Sequence, residues 1–316
     1  MKKILAMILA LCMVFALCAT SAFAADELIF TTGGEAGTYY AFGSVLAQYV
    51  SNNSDISVTA IAGNGSQANV EDMDAGDVQL GFCQSDVMSY AYNGTNLFED
   101  LGKIDSFSVV AALYMEQVQI VTTNPDIKTV ADLKGKSVSI GVRGSGVYFN
   151  ALDVLGVYGM TEDDIKPVYQ NFGDSAESLK DKKIDAAFIV AGAPTTAITD
   201  LSTSGPVYLV SIDDDHIDEL LAKSPYYTAY TVPADTYGMP EDVQTVAVAA
   251  VVLARNDVSE DAIYAFTSTI FDNIDAIAEQ HGKGAELSLE FASSITDVPY
   301  HPGAAKYFAE KGFDVA

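Results

Sequence analysis

Cysteine and histidine are scarce in this chain of 316 residues, which has three of each. Two of the cysteines, Cys12 and Cys18, come before residue 25, so the rest of the chain keeps only Cys83. One cysteine excludes an internal disulfide there, and scattered histidines exclude a zinc-type ligand cluster. No metal or other cofactor is therefore expected. Cys83 stands in an apolar, strand-like run, which predicts a buried, unreactive thiol.

Basic residues are also few. The chain has 16 lysines and arginines against 43 acidic residues, a formal net charge of −27. Such a charge repels nucleic acid and anionic lipid headgroups, so neither is an expected partner. An anionic ligand would need a local positive potential. The only arginines are Arg143 and Arg255.

The first 24 residues have the pattern of a secretory signal peptide. A positive start precedes an apolar run from Ile4 to about Cys18, and Ala22-Phe23-Ala24 has the small-x-small pattern that signal peptidase cleaves. We expect cleavage after Ala24 and a periplasmic or otherwise extracytoplasmic protein. A lipid anchor at Cys12 or Cys18, or a retained N-terminal anchor, is the alternative. No later run is long and apolar enough to span a membrane, so no membrane insertion is expected after cleavage.

Strand-like and helix-like segments alternate along the rest of the chain, which predicts an α/β fold with mostly parallel sheets. Predicted strands cover 28–31, 57–62, 78–83, 107–114, 118–123, 137–142, 185–190, 207–211 and 245–254. Predicted helices cover 39–50, 67–75, 85–92, 147–155, 195–202, 213–223, 260–280 and 285–293. We expect two lobes, residues 25–115 plus 226–316 and residues 116–225. Ligands of open α/β sheets bind beyond the carboxyl ends of the strands, which predicts a cleft between the lobes.

Three glycine-rich turns lead from a predicted strand into a predicted helix. They are Gly33–Tyr40, Asn64-Gly65-Ser66 and Gly144-Ser145-Gly146. Unsatisfied N–H groups and the positive end of the helix dipole attract carboxylates or phosphates at such helix starts. Glycines that only allow tight turns are the alternative interpretation. Three such turns in two facing lobes favour a ligand cleft.

Arg143 precedes the third turn, at the exit of a predicted strand. A guanidinium there would hold a carboxylate through two parallel hydrogen bonds. An exposed arginine that pairs with a surface carboxylate is the alternative, and the sequence does not decide between them. For Arg255, at a predicted surface turn, the surface role is favoured.

Other polar and aromatic side chains lie near the turns. Gln84 would offer an amide, Ser85 would cap the next helix, and Tyr39 or Tyr40 would form an aromatic wall. The predicted ligand-binding set is Gly33, Thr38, Tyr39, Tyr40, Asn64, Ser66, Gln84, Ser85, Tyr114, Arg143, Ser145, Phe188 and Thr195. No nucleophile elbow, Walker loop or dinucleotide-binding glycine motif occurs, so catalytic residues are not predicted.

An ordered series of short segments resembles the TAXI-type solute receptors of tripartite ATP-independent periplasmic (TRAP) transporters. The segments are Thr32–Tyr40, Gly63–Ser66, Leu80–Asp86, Ala111–Tyr114, Ala131–Lys136, Gly144–Gly146, Ile184–Phe188, Gly192–Thr195, Thr245–Val248 and His301–Ala304. They run along almost the whole chain after residue 24. The resemblance implies a two-lobed, type II periplasmic-binding fold that closes on its ligand like a Venus flytrap.

The resemblance also implies a partner, a membrane permease driven by an ion gradient. Glutamate, glutamine and dicarboxylates such as 2-oxoglutarate are ligands associated with the family. Arg143 departs from the family pattern and supports an acidic ligand, whereas Glu35 in the first turn would suit an amino group. We expect a monomer that binds a small organic solute. The binding component of an ABC importer, a ligand-sensing receptor and, third, a secreted enzyme are the alternatives.

Overall fold

The structure, a computed structural model, describes residues 26–316, so the predicted signal peptide lies outside the described residues. Its strands are β1 Glu27–Thr31, β2 Ser57–Ile61, β3 Leu80–Gln84, β4 Phe107–Thr122, β5 Ser137–Ser139, β6 Lys166–Val168, β7 Ala186–Ala191, β8 Tyr208–Leu209, β9 Thr228–Val232 and β10 Val243–Arg255. Its α-helices are α1 Thr38–Asn53, α2 Ser66–Ala75, α3 Ser85–Asn93, α4 Gly146–Val157, α5 Phe172–Lys180, α6 Thr196–Ser204, α7 Asp214–Lys223, α8 Glu260–Phe271, α9 Ile274–Ala278, α10 Leu289–Ala292 and α11 Pro302–Glu310. Within these residues, no helix is long and apolar enough to cross a membrane.

The sheet has two parallel outer parts joined by antiparallel strands. The strand order is β2-β1-β3-β10-β4-β7-β5-β6, with β8 beside β4 and β9 beside β10. Strands β2, β1 and β3 are parallel to one another, and so are β7, β5 and β6. Strands β4 and β10 run antiparallel between the two parts. This arrangement confirms the predicted α/β class with parallel sheets, in which helices follow the strands.

Two long strands connect the halves of the molecule. Strand β4 runs unbroken from Phe107 to Thr122 and pairs with β10 over Phe107–Gln117, with register shifts beside Val251 and Leu253. The sequence predicted a break at residues 115–117, and that was wrong. Met115, Glu116 and Gln117 look like a polar interruption, but the strand continues through them because β10 supplies backbone partners.

The buried side chains form separate cores. One core joins residues 28–114 to residues 249–308, with Phe149 packed into it. Two further cores consist of residues between 118 and 248. The cores therefore divide near Glu116 and again between Val248 and Ala249, whereas the predicted second boundary was at residue 225. Strand β9, which the sequence did not predict, keeps residues 228–232 with the second lobe by pairing with residues 243–247 of β10.

Other predicted elements differ in extent. The predicted helix 260–280 is two helices, α8 and α9, separated at Asp272 and Asn273. Strand β6 and helix α5 were not predicted either. Pro167 interrupts the strand pattern of β6, and polar residues dominate the sequence of α5. Cys83 is fully buried in β3, and burial raises the pKa of its thiol, as predicted for an inert side chain.

Candidate ligand-binding site

A cavity of about 140 Å³ lies between the two lobes. Its wall includes the starts of α1, α2 and α4, the ends of β3 and β7, the middle of β4, and residues 170–172 at the start of α5. An engineered protein cavity of roughly this volume holds benzene, so the space suits a ligand of roughly six to ten non-hydrogen atoms. Both lobes therefore contribute to one site for a small molecule.

Three helices begin at the wall of this cavity. Their N-cap residues are Gly37, Gly65 and Ser145, and in the described part of the chain none of them caps its helix through a side chain. The first N–H groups of a helix have no partner within the helix, and they carry the positive end of its dipole. The cavity thus has partial positive charge from both lobes, where an anionic group is stabilised.

Close contact between the lobes requires a glycine at position 146. A Cβ atom there would lie 1.6 Å from Gln84 Oε1 and 2.9 Å from Ser66 Oγ. Gly146 opens α4 in the second lobe, whereas Gln84 and Ser66 belong to the first. Any larger residue would displace Gln84 or hold the lobes apart.

Glu116 is the one acidic residue among those that line the cavity in the described structure. It lies in the middle of β4, with 2% of its surface exposed. Tyr39 donates a hydrogen bond from its hydroxyl to Glu116 Oε2 at 2.6 Å. Burial raises the pKa of Glu116 to about 8, and the Tyr39 hydrogen bond opposes that rise.

Two side-chain amides at the cavity have an unused acceptor. Gln84 Oε1 and Gln170 Oε1 are both buried, and neither has a hydrogen-bond partner among residues 26–316. Gln84 is 2% exposed, and its backbone N–H donates to Ser66 Oγ at 3.0 Å. An unpaired buried acceptor is costly, and a ligand that carries N–H or O–H groups would satisfy both.

The lobes contact each other directly, so the structure is a closed arrangement. Ala68 N donates to Gly144 O at 3.0 Å, and Thr38 Oγ1 donates to Gly192 O at 2.8 Å. Farther along the interface, Asn150 Nδ2 donates to Asp86 Oδ2 at 2.8 Å. These bonds join elements of the two lobes and would break if the cleft opened.

Seven of the predicted ligand-binding residues line the cavity. They are Gly33, Thr38, Tyr39, Asn64, Ser66, Gln84 and Ser145. Six others lie outside its lining, namely Tyr40, Ser85, Tyr114, Arg143, Phe188 and Thr195. The three glycine-rich turns therefore come together as the sequence suggested, while several side chains chosen around them do not reach the cavity.

Arg143 is exposed and its guanidinium lies over aromatic rings. The Cζ atom is 4.1 Å from the centre of the Tyr169 ring and 5.6 Å from that of Tyr148. No carboxylate among residues 26–316 is within salt-bridge distance of it. Its role as a carboxylate anchor stays a prediction.

Four of the other five outlying residues have structural partners. Ser85 is the first residue of α3 rather than its N-cap, and its hydroxyl accepts the Ala249 N–H at 3.2 Å. Thr195 is the N-cap residue of α6, and its hydroxyl receives a hydrogen bond from Gln119 at 3.0 Å. Tyr114 is buried beside Lys283, whose Nζ lies 5.4 Å from the ring centre. Phe188 packs in a core of the second lobe.

The sequence analysis missed Glu116 and the three residues Gln170, Asn171 and Phe172. The available pattern for Glu116 was a single acidic residue inside a mainly apolar strand. Asn171 accepts the Asp174 N–H at 2.9 Å as the N-cap of α5, so an Asn followed three residues later by Asp marked this helix start.

The fold is similar to several solved structures. The alkanesulfonate-binding protein SsuA from Xanthomonas axonopodis pv. citri, bound to MOPS, is 15% identical, with a TM-score of 0.51 and 92% of each chain covered. A protein of Bordetella bronchiseptica RB50 is 15% identical, with a TM-score of 0.55 over 90% of this chain and 88% of that one. The zinc-bound ligand-binding component of an ABC-type import system from Staphylococcus aureus is 11% identical, with a TM-score of 0.52 over 90% of both chains.

At these identities the likeness concerns the fold, and it agrees with the two-lobed architecture described above. A sequence profile covers almost all of the described chain as well. It matches residues 30–312, from β1 to the end of α11. The chain therefore belongs to the NMT1-like family.

Proposed function

We propose that the protein is an extracytoplasmic solute-binding receptor that captures a small, carboxylate-bearing solute between its lobes. The observation that carries this proposal is the cavity bounded by three helix starts without side-chain caps, contributed by both lobes. Backbone N–H groups at these starts would hold the carboxylate. No catalytic role is proposed, because binding and release are sufficient for such a protein.

Closure of the lobes would be coupled to binding. A ligand that contacts Ser66 and Gln84 on one side and Ser145 and Gly146 on the other gains its full set of contacts only in the closed form. A ligand shifts a two-state equilibrium by its difference in affinity for the two states. Closure would then mark the loaded receptor for its membrane partner, and opening on that partner would release the solute.

The proposed partner is the permease of a TRAP transporter, driven by an ion gradient. The sequence resemblance to TAXI-type receptors supports it. An ABC importer is the alternative, supported by the similar fold of an ABC-type ligand-binding component. Transport assays with the receptor and the permease encoded beside it distinguish the two, since only the ABC importer requires ATP hydrolysis.

A thermal-shift screen of the purified secreted protein tests the binding proposal. The panel contains amino acids, dicarboxylates, 2-oxo acids and sugars. A compound that binds only the folded protein raises the Tm increasingly with its concentration. We expect carboxylate-bearing compounds to raise it and to be recovered unchanged. Shifts by sugars alone would contradict the carboxylate, and no shift by any compound would contradict the receptor proposal.

A further inference from the structure

We propose that Glu116 binds the ammonium group of the solute, so that the site selects α-amino acids over acids that lack the amine. The inference rests on the proposed binding function and adds a substrate class to it. Its basis is the position of a buried carboxylate in the same cavity as the three helix starts.

Glu116 has unused capacity to accept hydrogen bonds. An ionised carboxylate has about four acceptor positions. Among residues 26–316, Tyr39 alone donates to Glu116, through the single bond to Oε2 at 2.6 Å. The buried cation Lys283 is not within salt-bridge distance of Glu116, and its Nζ pairs with Glu286 Oε1 at 2.5 Å instead. The protein thus leaves most of this carboxylate for a donor that enters the cavity.

Two side-chain amides that line the same cavity also favour a ligand that donates hydrogen bonds. Gln84 and Gln170 also line the cavity, and the Oε1 atom of each lacks a donor among the described residues. An ammonium group has three N–H donors and no acceptor, so it suits a cavity that offers a carboxylate and amide oxygens. An ionised carboxylate on the ligand is an acceptor only, so it offers no donor to these amide oxygens.

The cavity therefore offers two kinds of binding group. The helix starts present partial positive charge, and Glu116 presents a carboxyl group. A molecule that carries a carboxylate and an ammonium group a few bonds apart can bind to both within a space of about 140 Å³. Amino acids are the smallest common solutes with that pair of groups.

Binding of an amine would also change the protonation of Glu116. Burial raises the pKa of Glu116 to about 8, and the nearby Asp86 carboxylate adds to the rise, whereas the Tyr39 hydrogen bond and the Lys283 charge oppose it. Glu116 is thus mostly protonated near neutral pH, and an ammonium beside it favours the anion. Amino-acid binding would release a proton near pH 7, in proportion to the protonated fraction.

Paired calorimetric titrations test the inference. L-Glutamate is compared with glutarate, and L-alanine with propionate, on wild-type protein, Glu116→Gln and the control Glu35→Gln. Glu35 lies in the first glycine-rich turn, is exposed and does not line the cavity. All twenty standard amino acids are first screened by thermal shift.

We expect wild-type protein to prefer one amino acid over its amine-free partner by at least about tenfold. Glu116→Gln should weaken that amino acid about ten- to hundredfold and leave the amine-free acid within about threefold, as expected for loss of a charged hydrogen bond. Glu35→Gln should behave as wild type. Titration in two buffers of different protonation enthalpy should detect proton release, which Glu116→Gln abolishes.

Three outcomes would overturn the inference. Equal affinity for both members of a pair, equal weakening of both by Glu116→Gln, or no response to any amino acid would each exclude an ammonium site at Glu116. In all three, binding of amine-free acids would leave the proposed receptor function intact. Failure of every carboxylate-bearing compound would instead contradict the receptor function itself.

Discussion

Two buried acids lie at the interface between the lobes, and the protein treats them differently. Glu116 is 2% exposed at the cavity, and Asp86 is fully buried at the start of α3. Burial raises the pKa of both, to about 8 for Glu116 and about 7 for Asp86. Both carboxyl groups are buried away from water, so they differ mainly in the groups that donate hydrogen bonds to them.

Protein groups provide Asp86 with donors. It accepts the Val87 N–H at 2.9 Å and the Asn150 amide at 2.8 Å, and Asn150 in turn bonds to Tyr227. Glu116 accepts one bond, from Tyr39. Asp86 therefore receives protein donors from both lobes without a ligand, whereas Glu116 receives one donor from the described residues.

The largest expected effect concerns pH and stability. The pKa of Glu116 is about 8 in the folded protein against 4.5 as the reference for the unfolded chain. The folded state therefore binds the Glu116 proton more tightly than the unfolded chain does. The stability linked to this proton is fully present below about pH 4.5 and is lost as the pH rises through about 8. The Glu116→Gln variant has no carboxyl to ionise, so it does not lose this stability at high pH. Near pH 9 it should be more stable than wild type by a few kcal/mol, at about 1.4 kcal/mol per unit of pKa shift.

Urea unfolding of ligand-free protein near pH 5 and near pH 9 measures this difference. For Asp86→Asn, the divergence from wild type should come at lower pH, since its pKa is raised from 3.8 to about 7. Glu35→Gln should parallel wild type throughout. If Glu116→Gln also paralleled wild type, Glu116 would not be a buried, protonated acid.

The next largest effect is expected where the lobes meet beside the cavity. Gly146→Ala would place a Cβ 1.6 Å from Gln84 Oε1, so either Gln84 moves into the cavity or the lobes stay apart. Overpacking typically costs about 1–3 kcal/mol, which corresponds to roughly ten- to hundredfold weaker binding. Calorimetry with L-glutamate measures it, and small-angle X-ray scattering reports opening.

A control substitution lies in the same helix. A Cβ at Gly156 of α4 would meet nothing within 4 Å, so Gly156→Ala should keep wild-type affinity and stabilise the helix slightly. Unchanged affinity in Gly146→Ala would mean that the cavity between Gln84 and α4 does not hold the ligand.

A smaller effect is expected from loss of the hydrogen bond between Asn150 and Asp86. Asn150→Ala removes the donor that joins Asp86 to the second lobe. It should destabilise the closed form by about 1–2 kcal/mol, and a receptor that is closed less often binds about tenfold more weakly. Selectivity for amino acids should not change, because Asn150 does not line the cavity. The exposed Asn53→Ala is the control, and altered selectivity in Asn150→Ala would contradict the division of roles.

Much of the fold could be predicted because its elements are local patterns. The apolar runs and glycine turns located β1, β2 and β3 and the helices after them to within three residues. The three helix starts were found for the same reason, since each depends on a strand, a turn and a helix that are adjacent in sequence. Their meeting at one cavity followed from the topology of parallel strands.

Residues whose role depends on the other lobe could not be predicted. Glu116 resembled a break in a strand, and its burial is due to Tyr39 and β10, which are distant in sequence. Gln170 lies in a loop that no periodicity marks. Side-chain direction was equally out of reach, because Arg143 adjoins the third turn and yet extends over Tyr169.

The smallest expected effect on ligand affinity is that of Arg143→Ala. It tests whether a residue near the cavity matters less for binding than a residue that lines it. Arg143→Ala removes a cation over two tyrosine rings, a contact worth about 0.5–1 kcal/mol where it is exposed. We therefore expect L-glutamate affinity to fall by no more than about threefold, since solvent screens the charge. Arg255→Ala, at the far edge of β10, is the matched control for loss of one arginine. Loss of tenfold or more in Arg143→Ala alone would mean that the side chain swings from Tyr169 to the ligand carboxylate, and that the anchor predicted from the sequence forms on binding.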